Sequence, residues 1–338
     1  MTAIARGTSN DRKHYDRRLD ATATCVARGH RPARPAGADA GPGDALPGSA
    51  DRDHRRLYRR RRHRPRRAQL CPGTGTAPRR HRRRQQPPRC GGELALGVVA
   101  RARPDGHTIG FTNFPGILTI PIERQAQFKL ADFAPLANIV TDPSAITTHV
   151  DSPYRTLGDV IEKAKAAPGT ITYASPGVGT DDHMQLVLLE QAAGIRLSHV
   201  VYQGDPGLRT ALLGRQVDLI GLNLGAVTAA PEKMRLIAQG GATRSRFQPE
   251  VPTLKELGFP VEMASERGLV LPAGTPPAIL ARLREATADI ARDPDFIRQV
   301  EGRFTVPLYE EGAAWFDRLR REEARFREIW QRTPWKEQ

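Results

Sequence analysis

From residue 93 onward, apolar positions recur with the two periods that backbone geometry favours, 3.6 for helices and 2 for strands, and the two take turns. The clearest helix is 157–166. Leu157, Val160, Ile161 and Ala164 fall at i, i+3, i+4 and i+7, Thr156 stands at the N-cap, and Pro168-Gly169 stops the run. A short helix is predicted over 93–101, ended by Pro104-Asp105-Gly106, and a strand over 107–112. Further strands are predicted over 136–140, 145–150, 170–174, 199–202, 217–222, 234–238 and 269–271. A helix over 181–192 ends at Gly194, and a loop at 203–206 leads into a helix reaching 213. Thr275-Pro276 and Asp293-Pro294 mark two helix starts with proline in the first turn. The last helix, 310–331, turns Trp315, Phe316, Leu319, Phe326 and Trp330 inward, and this aromatic stripe is expected to be core. Strands alternating with helices give an α/β class.

Composition divides the chain in two. Residues 1–90 carry 24 Lys+Arg against 7 Asp, with no Glu, no Phe and one Ile, whereas 91–338 carry 28 basic residues against 30 acidic ones. The overall charge of +15 therefore belongs to the first 90 residues. Runs such as Arg59-Arg60-Arg61-Arg62-His63-Arg64 bury too little apolar surface to offset the entropy of ordering, so 1–90 is expected to be a disordered basic segment. Taken at face value, such an arm binds phosphate backbones non-specifically and in a salt-dependent way. A codon-level reading differs. In GC-rich DNA, GNC codons for Gly, Ala, Val and Asp become CGN codons for Arg when shifted by one base. Shifted so, 51–76 can read I-A-T-I-V-V-S-T-A-G-G-G-T-D-L-V-A-R-N-F-A-R-E-L-E-Q, a strand, a glycine loop and an amphipathic helix. The same shift lets 81–90 read T-V-V-D-N-N-P-R-G-A. The first 90 residues are thus expected to be out of frame.

Several classes drop out. No window holds 18 uncharged apolar residues, which excludes a transmembrane helix. Arg17-Arg18 is followed by Asp20 and polar residues, so no export signal is readable. Cys25, Cys71 and Cys90 show neither CxxC nor paired spacing, so no zinc or disulfide framework is expected.

The candidate chemistry lies at 175–183. A strand end, a glycine turn and a helix N-terminus follow one another, the arrangement that aims backbone N–H groups at an anion. Gly177 and Gly179 permit close approach, and Ser175 and Thr180 add hydroxyls. The plain alternative is a βα turn with Thr180 as N-cap. Asp182 stands where a dinucleotide fingerprint needs its third glycine, and Tyr173 stands where a nucleophile elbow needs glycine. Asp181, Asp182 and His183 do not share one helix face, so no metal site is expected. Tyr202, Gly204 and Asp205 follow the next strand and should border the same cleft, with Asn223 a further candidate. Thr112 and Asn113 offer a polar pair on the opposite wall, and Asp218 is expected to be structural.

A family resemblance runs in order through the same residues. Ala102–Thr108 resembles the "A-x-PDG-Y-T" turn of the tripartite tricarboxylate transporter receptors, also called the Bug or TctC-like family. Asp132-Phe133-Ala134-Pro135 is similar to its "DFAP", and 173–183 to its "YASSGxGSxxH". His199–Gly204 resembles "HVPYKG", Gln216–Leu219 "QVDL", Pro249–Thr253 "PDVPT" and Leu271–Pro276 "APAGTP". The shifted reading of 51–90 resembles the family's opening strand, its "AGGGTD" loop and "VVVENRPGAGG".

The resemblance implies a type II periplasmic-binding-protein fold, with lobe one at 92–147 and 266–338, lobe two at 148–265, and crossings near Val150 and Glu266. It implies a periplasmic, monomeric, non-enzymatic receptor that hands a small carboxylate to the membrane permease of a tripartite transporter, without cofactor, metal or nucleic acid. The ligand contacts implied are Ser175, Gly177, Val178, Gly179, Thr180, Tyr202, Gly204, Asp205, Thr112 and Asn113. His183 is either a polar contact or a packing residue under the turn. Asp181, Asp182 and Asp205 depart from the small or neutral residues usual there. The two in the helix are expected to face solvent; otherwise the ligand offers an amine or hydroxyls in place of a second carboxylate. Two other functions compete: nucleic-acid binding through the basic arm, and hydrolysis by Ser175, for which no base is paired in the sequence. If the frame is broken, the chain as written lacks a strand, half its cradle and its export signal, and is expected to fold poorly and bind no carboxylate tightly.

Overall fold

The computed structural model describes residues 26–28 and 92–335. The expectations of disorder, nucleic-acid binding and frame displacement for 1–90 lie almost wholly outside these residues. Three residues of that segment, β1 (Val26–Arg28), pair with the edge of β2 (Thr108–Phe114).

One strand organises the described chain. β3 runs unbroken from Phe133 to His149, 17 residues. Two separate strands were expected there, because Thr141-Asp142-Pro143 reads as a break. Pro143 instead marks a change of partners. Up to Pro143, β3 lies antiparallel between β8 (Ala264–Pro272) and β9 (Val306–Glu311), and β2 extends this sheet beyond β8. From Ser144, β3 pairs with β6 (Leu219–Asn223) on one side and β7 (Met234–Gln239) on the other. β4 (Thr172–Ser175) and β5 (Ser198–Val201) continue that sheet in parallel beyond β6. Pro143 cannot donate to a ladder, which suits the point where one sheet ends and the next begins.

Most helices stand where the pattern places them: α1 (Glu93–Ala100), α3 (Leu157–Ala166), α4 (Asp181–Ala193), α7 (Pro277–Arg292) and α8 (Pro294–Glu301). Thr156 caps α3 in a reciprocal box with Asp159, and Asp293 caps α8 ahead of Pro294. α2 (Gly116–Glu123) has no counterpart in the sequence reading, because eight residues with Pro121 among them give no readable period. α5 (Gly204–Leu213) starts inside the expected loop, its Pro206 falling in the first turn. α6 (Leu224–Ala229), too short to carry a period, was also not anticipated. α9 (Gly312–Arg332) starts two residues later than expected, because Glu311 ends β9 and turns its carboxylate onto Ala313 N at 2.9 Å.

The aromatic stripe of α9 is core, as its spacing predicts. Trp315, Phe316, Leu319 and Phe326 are buried, and Trp330 packs against them. A Cβ on Gly268 of β8 would stand 2.2 Å from the Trp315 ring, so the strand glycine and the indole are fitted to each other. Trp315→Ala is therefore expected to cost about 3–5 kcal/mol. Urea unfolding reads this directly, and a loss below about 1 kcal/mol would contradict a packed indole at this position.

Candidate functional site

The β4–α4 turn closes largely upon itself. Ser175 is fully buried, and its hydroxyl lies 3.2 Å from Gly177 O and 2.7 Å from His199 Nε2. Thr180 Oγ1 donates to Gly177 O at 2.8 Å and caps α4 by accepting from His183 N at 3.4 Å. Gly179, at φ +75°, donates its N–H to His183 Nδ1 at 3.0 Å, which fixes that nitrogen as the unprotonated one. Its carbonyl accepts from Thr119 Oγ1 of α2 at 2.6 Å. A Cβ here would meet Thr119 Oγ1 at 2.9 Å in an unfavourable backbone conformation, so the position needs glycine. Val178 is half-buried against the core.

His183 and His199 stack face to face, centroids 4.1 Å apart and planes 3° from parallel. Burial lowers His183 to about 3, with the His199 charge adding to the effect, and burial lowers His199 to about 4. Both rings are neutral at pH 7. His183 thus packs under the turn and holds an amide of it. The Ser175–His199 contact supplies a pairing absent from the sequence reading, where the two are 24 residues apart.

The other candidates divide. Tyr202 N donates to Ser175 O at 3.0 Å, which brings the end of β5 to the turn. Gly204, at φ +76°, opens α5, with Asp205 in its first turn. Thr112 is fully buried, and its hydroxyl points to Gly268 O at 3.4 Å within its own sheet. Asn113 Oδ1 accepts from Ser265 Oγ at 2.9 Å. Asp218 is structural as expected, accepting from Thr172 N at 2.8 Å and Oγ1 at 2.7 Å.

Asp181 and Asp182 do not face solvent, which corrects the expectation. They are 4% and 1% exposed, because α4 is covered all round from Asp181 to Leu189. Asp181 Oδ2 accepts from Ser144 Oγ at 2.7 Å and Asn223 Nδ2 at 2.6 Å. Asp142, on the same stretch of β3, accepts from Gly225 N at 2.9 Å and lies 3.7 Å from Arg267 Nη1. Burial raises Asp142 to about 6 against the opposing pull of Arg267. Burial also raises Asp181, and raises Asp182 well above the carboxylate range, with Asp181, Asp205 and Asp142 adding to the latter.

Two neighbours of the turn carried no signal in the sequence. Thr119 comes from the unanticipated α2. Trp335 follows α9; its Nε1 would lie 3.9 Å from a Cβ on Gly179 and is a buried donor with no hydrogen-bond partner. Among the described residues, no group of three or more His, Cys, Asp or Glu is placed to hold a metal ion. No helix of the described residues is long and apolar enough to cross a membrane.

Comparison with known proteins gives a consistent picture. The sequence profile described as "Tripartite tricarboxylate transporter family receptor" matches residues 85–329. A UPF0065 protein in the gbd 5' region of Cupriavidus necator is 32% identical over 224 residues, 66% of this chain and 68% of that protein. The TctC solute binding protein from Polaromonas superposes with a TM-score of 0.61 at 26% identity, over 72% of this chain and 85% of its own. An R. palustris protein with adipate superposes at 0.65 and 24% identity, over 71% and 82%, a likeness of fold.

Proposed function

The chain belongs to the tripartite tricarboxylate transporter receptor family, and from that premise we propose that it is a solute receptor whose β4–α4 turn holds a small carboxylate for the membrane permease of a tripartite transporter. The family is one of periplasmic receptors with an α/β fold. We take this chain, likewise, as a periplasmic, monomeric receptor with no catalytic step. The two sheets that share β3 are taken as the bases of two lobes, 92–147 with 266–338 and 148–265.

The observation that carries the reading is the unpartnered Trp335 Nε1, a buried donor beside Gly179 and the α4 N-terminus. Buried N–H groups are nearly always paired, so a lone one at a helix N-terminus calls for an acceptor, and a carboxylate oxygen supplies it. Ser175, Gly177, Val178, Gly179, Thr180, Tyr202 and Gly204 then form one rim of the site, with His183 and His199 beneath it. The adipate held by the R. palustris relative is a ligand of this class. The Ser175–His199 pair is a brace for the turn: the serine is fully buried and sits within hydrogen-bond reach of Gly177 O as well.

The test is calorimetric titration with succinate, applied to the chain and to its frame-restored form. Gly179→Ala is expected to weaken succinate binding at least about tenfold. Gly169→Ala, at a like φ of +74° but with open space around its Cβ, serves as the strained control and keeps its affinity. Absence of heat at millimolar succinate in both forms would overturn the reading.

A further inference from the structure

The chain beyond the last helix crosses from one sheet to the other, and it does so at the β4–α4 turn. α9 itself is fixed to the sheet of β2, β8, β3 and β9. Trp315 lies on Gly268 of β8, and Arg318 donates to Glu266 of β8 and Glu310 of β9, each at 2.6 Å. Further along, Phe326 meets Phe114 at the end of β2, ring centroids 6.0 Å apart. α4 packs on β6, in the other sheet.

After α9 the chain runs Thr333-Pro334-Trp335 and reaches both ends of α4. Thr333 Oγ1 accepts from Gln191 Nε2, in the last turn of α4, at 3.1 Å. Trp335 stands at the other end, its Nε1 3.9 Å from where a Cβ on Gly179 would be. Pro334 is exposed and Thr333 half-buried, whereas Trp335 is 3% exposed, with its ring 4.9 Å from Trp330 and 6.4 Å from Phe326. A single buried side chain thus anchors the segment, and chain ends are loose unless something ties them down.

The turn leans on contacts from this side. Its first residue, Ser175, is held within its own sheet by His199 and by Tyr202 N. Gly179, at its far end, is bonded to His183 of α4 and is otherwise held from the first sheet. Thr119 Oγ1 of α2 donates to its carbonyl at 2.6 Å, and the Trp335 indole backs the same glycine. α2 packs on α9, so both outside contacts of Gly179 trace to the last helix.

We infer that residues 333–335 form a strap that positions the β4–α4 turn, with Trp335 the positioning residue, and that ligand and strap fasten each other. The second half rests on the receptor reading. A carboxylate that accepts from Trp335 Nε1 holds the indole in place, and by linkage the fastened indole favours the carboxylate by the same factor.

Two measurements on the full 338-residue chain test this. The first needs no ligand. Amide hydrogen exchange over 175–183 is expected to quicken about threefold in Thr333→Val and at least about tenfold in Trp335→Ala, each time by more than over 219–223 in the same sheet. Thr333→Val removes one hydrogen bond at the surface and leaves the core intact, so it carries the test if Trp335→Ala does not fold. Unmoved exchange over 175–183 would overturn the inference. An equal rise over 219–223 would overturn it too, because that reports stability alone. The second measurement adds succinate at ten times the Kd read by calorimetry, which is expected to slow release of Trp335 by a carboxypeptidase at least about fivefold. Succinate that binds without slowing the release would overturn the inference and leave the receptor reading standing. Failure of succinate to bind ends the receptor reading and the mutual fastening with it, while the exchange result alone decides the strap.

Discussion

Asp182→Asn is expected to raise the melting temperature at pH 7.5 by roughly 2–12 °C and to make the protein more sensitive to acid. The first effect follows from an unpartnered buried carboxylate, which costs about 1–3 kcal/mol, at about 2–4 °C per kcal/mol in a domain of this size. The second follows from two opposed titrations. Asp142, held up to about 6 by burial, and the raised Asp181 and Asp182 take up protons in the folded state before they do so unfolded. Their contribution therefore improves as pH falls through the folded value toward the ordinary one near 3.9. His183 and His199, held near 3 and 4, behave oppositely. Their stabilisation is whole above about 6.5 and is lost as pH falls toward those values, because the unfolded chain takes the protons first. In the wild type the two trends offset between about pH 6.5 and 4. Removing Asp182 exposes the histidine trend, and His183→Gln should flatten or reverse it. Calorimetric scans from pH 4.5 to 8 decide the matter: an unchanged melting temperature at pH 7.5, or equal pH slopes in all three proteins, would show that the cluster carries no strain.

Restoring the frame across residues 51–90 is expected to strengthen succinate binding by about 10²–10⁴. On the proposed reading, the described residues supply one wall of the site. The shifted reading supplies A-G-G-G-T-D, a second loop able to present amides to the same carboxylate. Two hydrogen bonds to a charged group contribute about 3–6 kcal/mol together, and every 1.4 kcal/mol is tenfold. The chain as written is accordingly expected to bind only in the millimolar range. The family profile begins to match at residue 85, and the Cupriavidus protein leaves about a third of each chain unmatched. Sequencing the gene is the first step. A coding strand that cannot yield the shifted peptide ends the idea, as does a restored chain that binds succinate no better.

Much of this molecule was legible because local chemistry and global fold agree. Thr156 announces α3, Thr180 announces α4, and Asp293-Pro294 announces α8, each through bonds that span three residues or fewer. What stayed hidden depends on distance in the chain. His199 reaches Ser175 because β4 and β5 run parallel, with Ser175 opposite Val201, and no spacing in the sequence encodes that register. Trp335 reaches Gly179 only through the course of α9. Asp181 and Asp182 are the instructive case. Two acids in a first turn ordinarily face water, yet in the run Met184-Gln185-Leu186-Val187-Leu188-Leu189 only Gln185 is polar, and it too is buried. The aliphatic residues Met184, Leu186, Val187, Leu188 and Leu189 bury this part of α4 all round, and it takes its own first turn inside with it.

The unbroken course of β3 limits what the two sheets can do. A strand already extended cannot lengthen, and its ladders on either side of Pro143 forbid sliding. At the junction, Ser144 N, Met263 N and Gly240 N each donate to a neighbouring carbonyl, Met263 O, Gly240 O and Ser144 O in turn, so the start of β8 and the end of β7 are tied to β3 where the sheets meet. The buried carboxylates of Asp142 and Asp181 stand at that knot, Asp181 accepting from Ser144 within it.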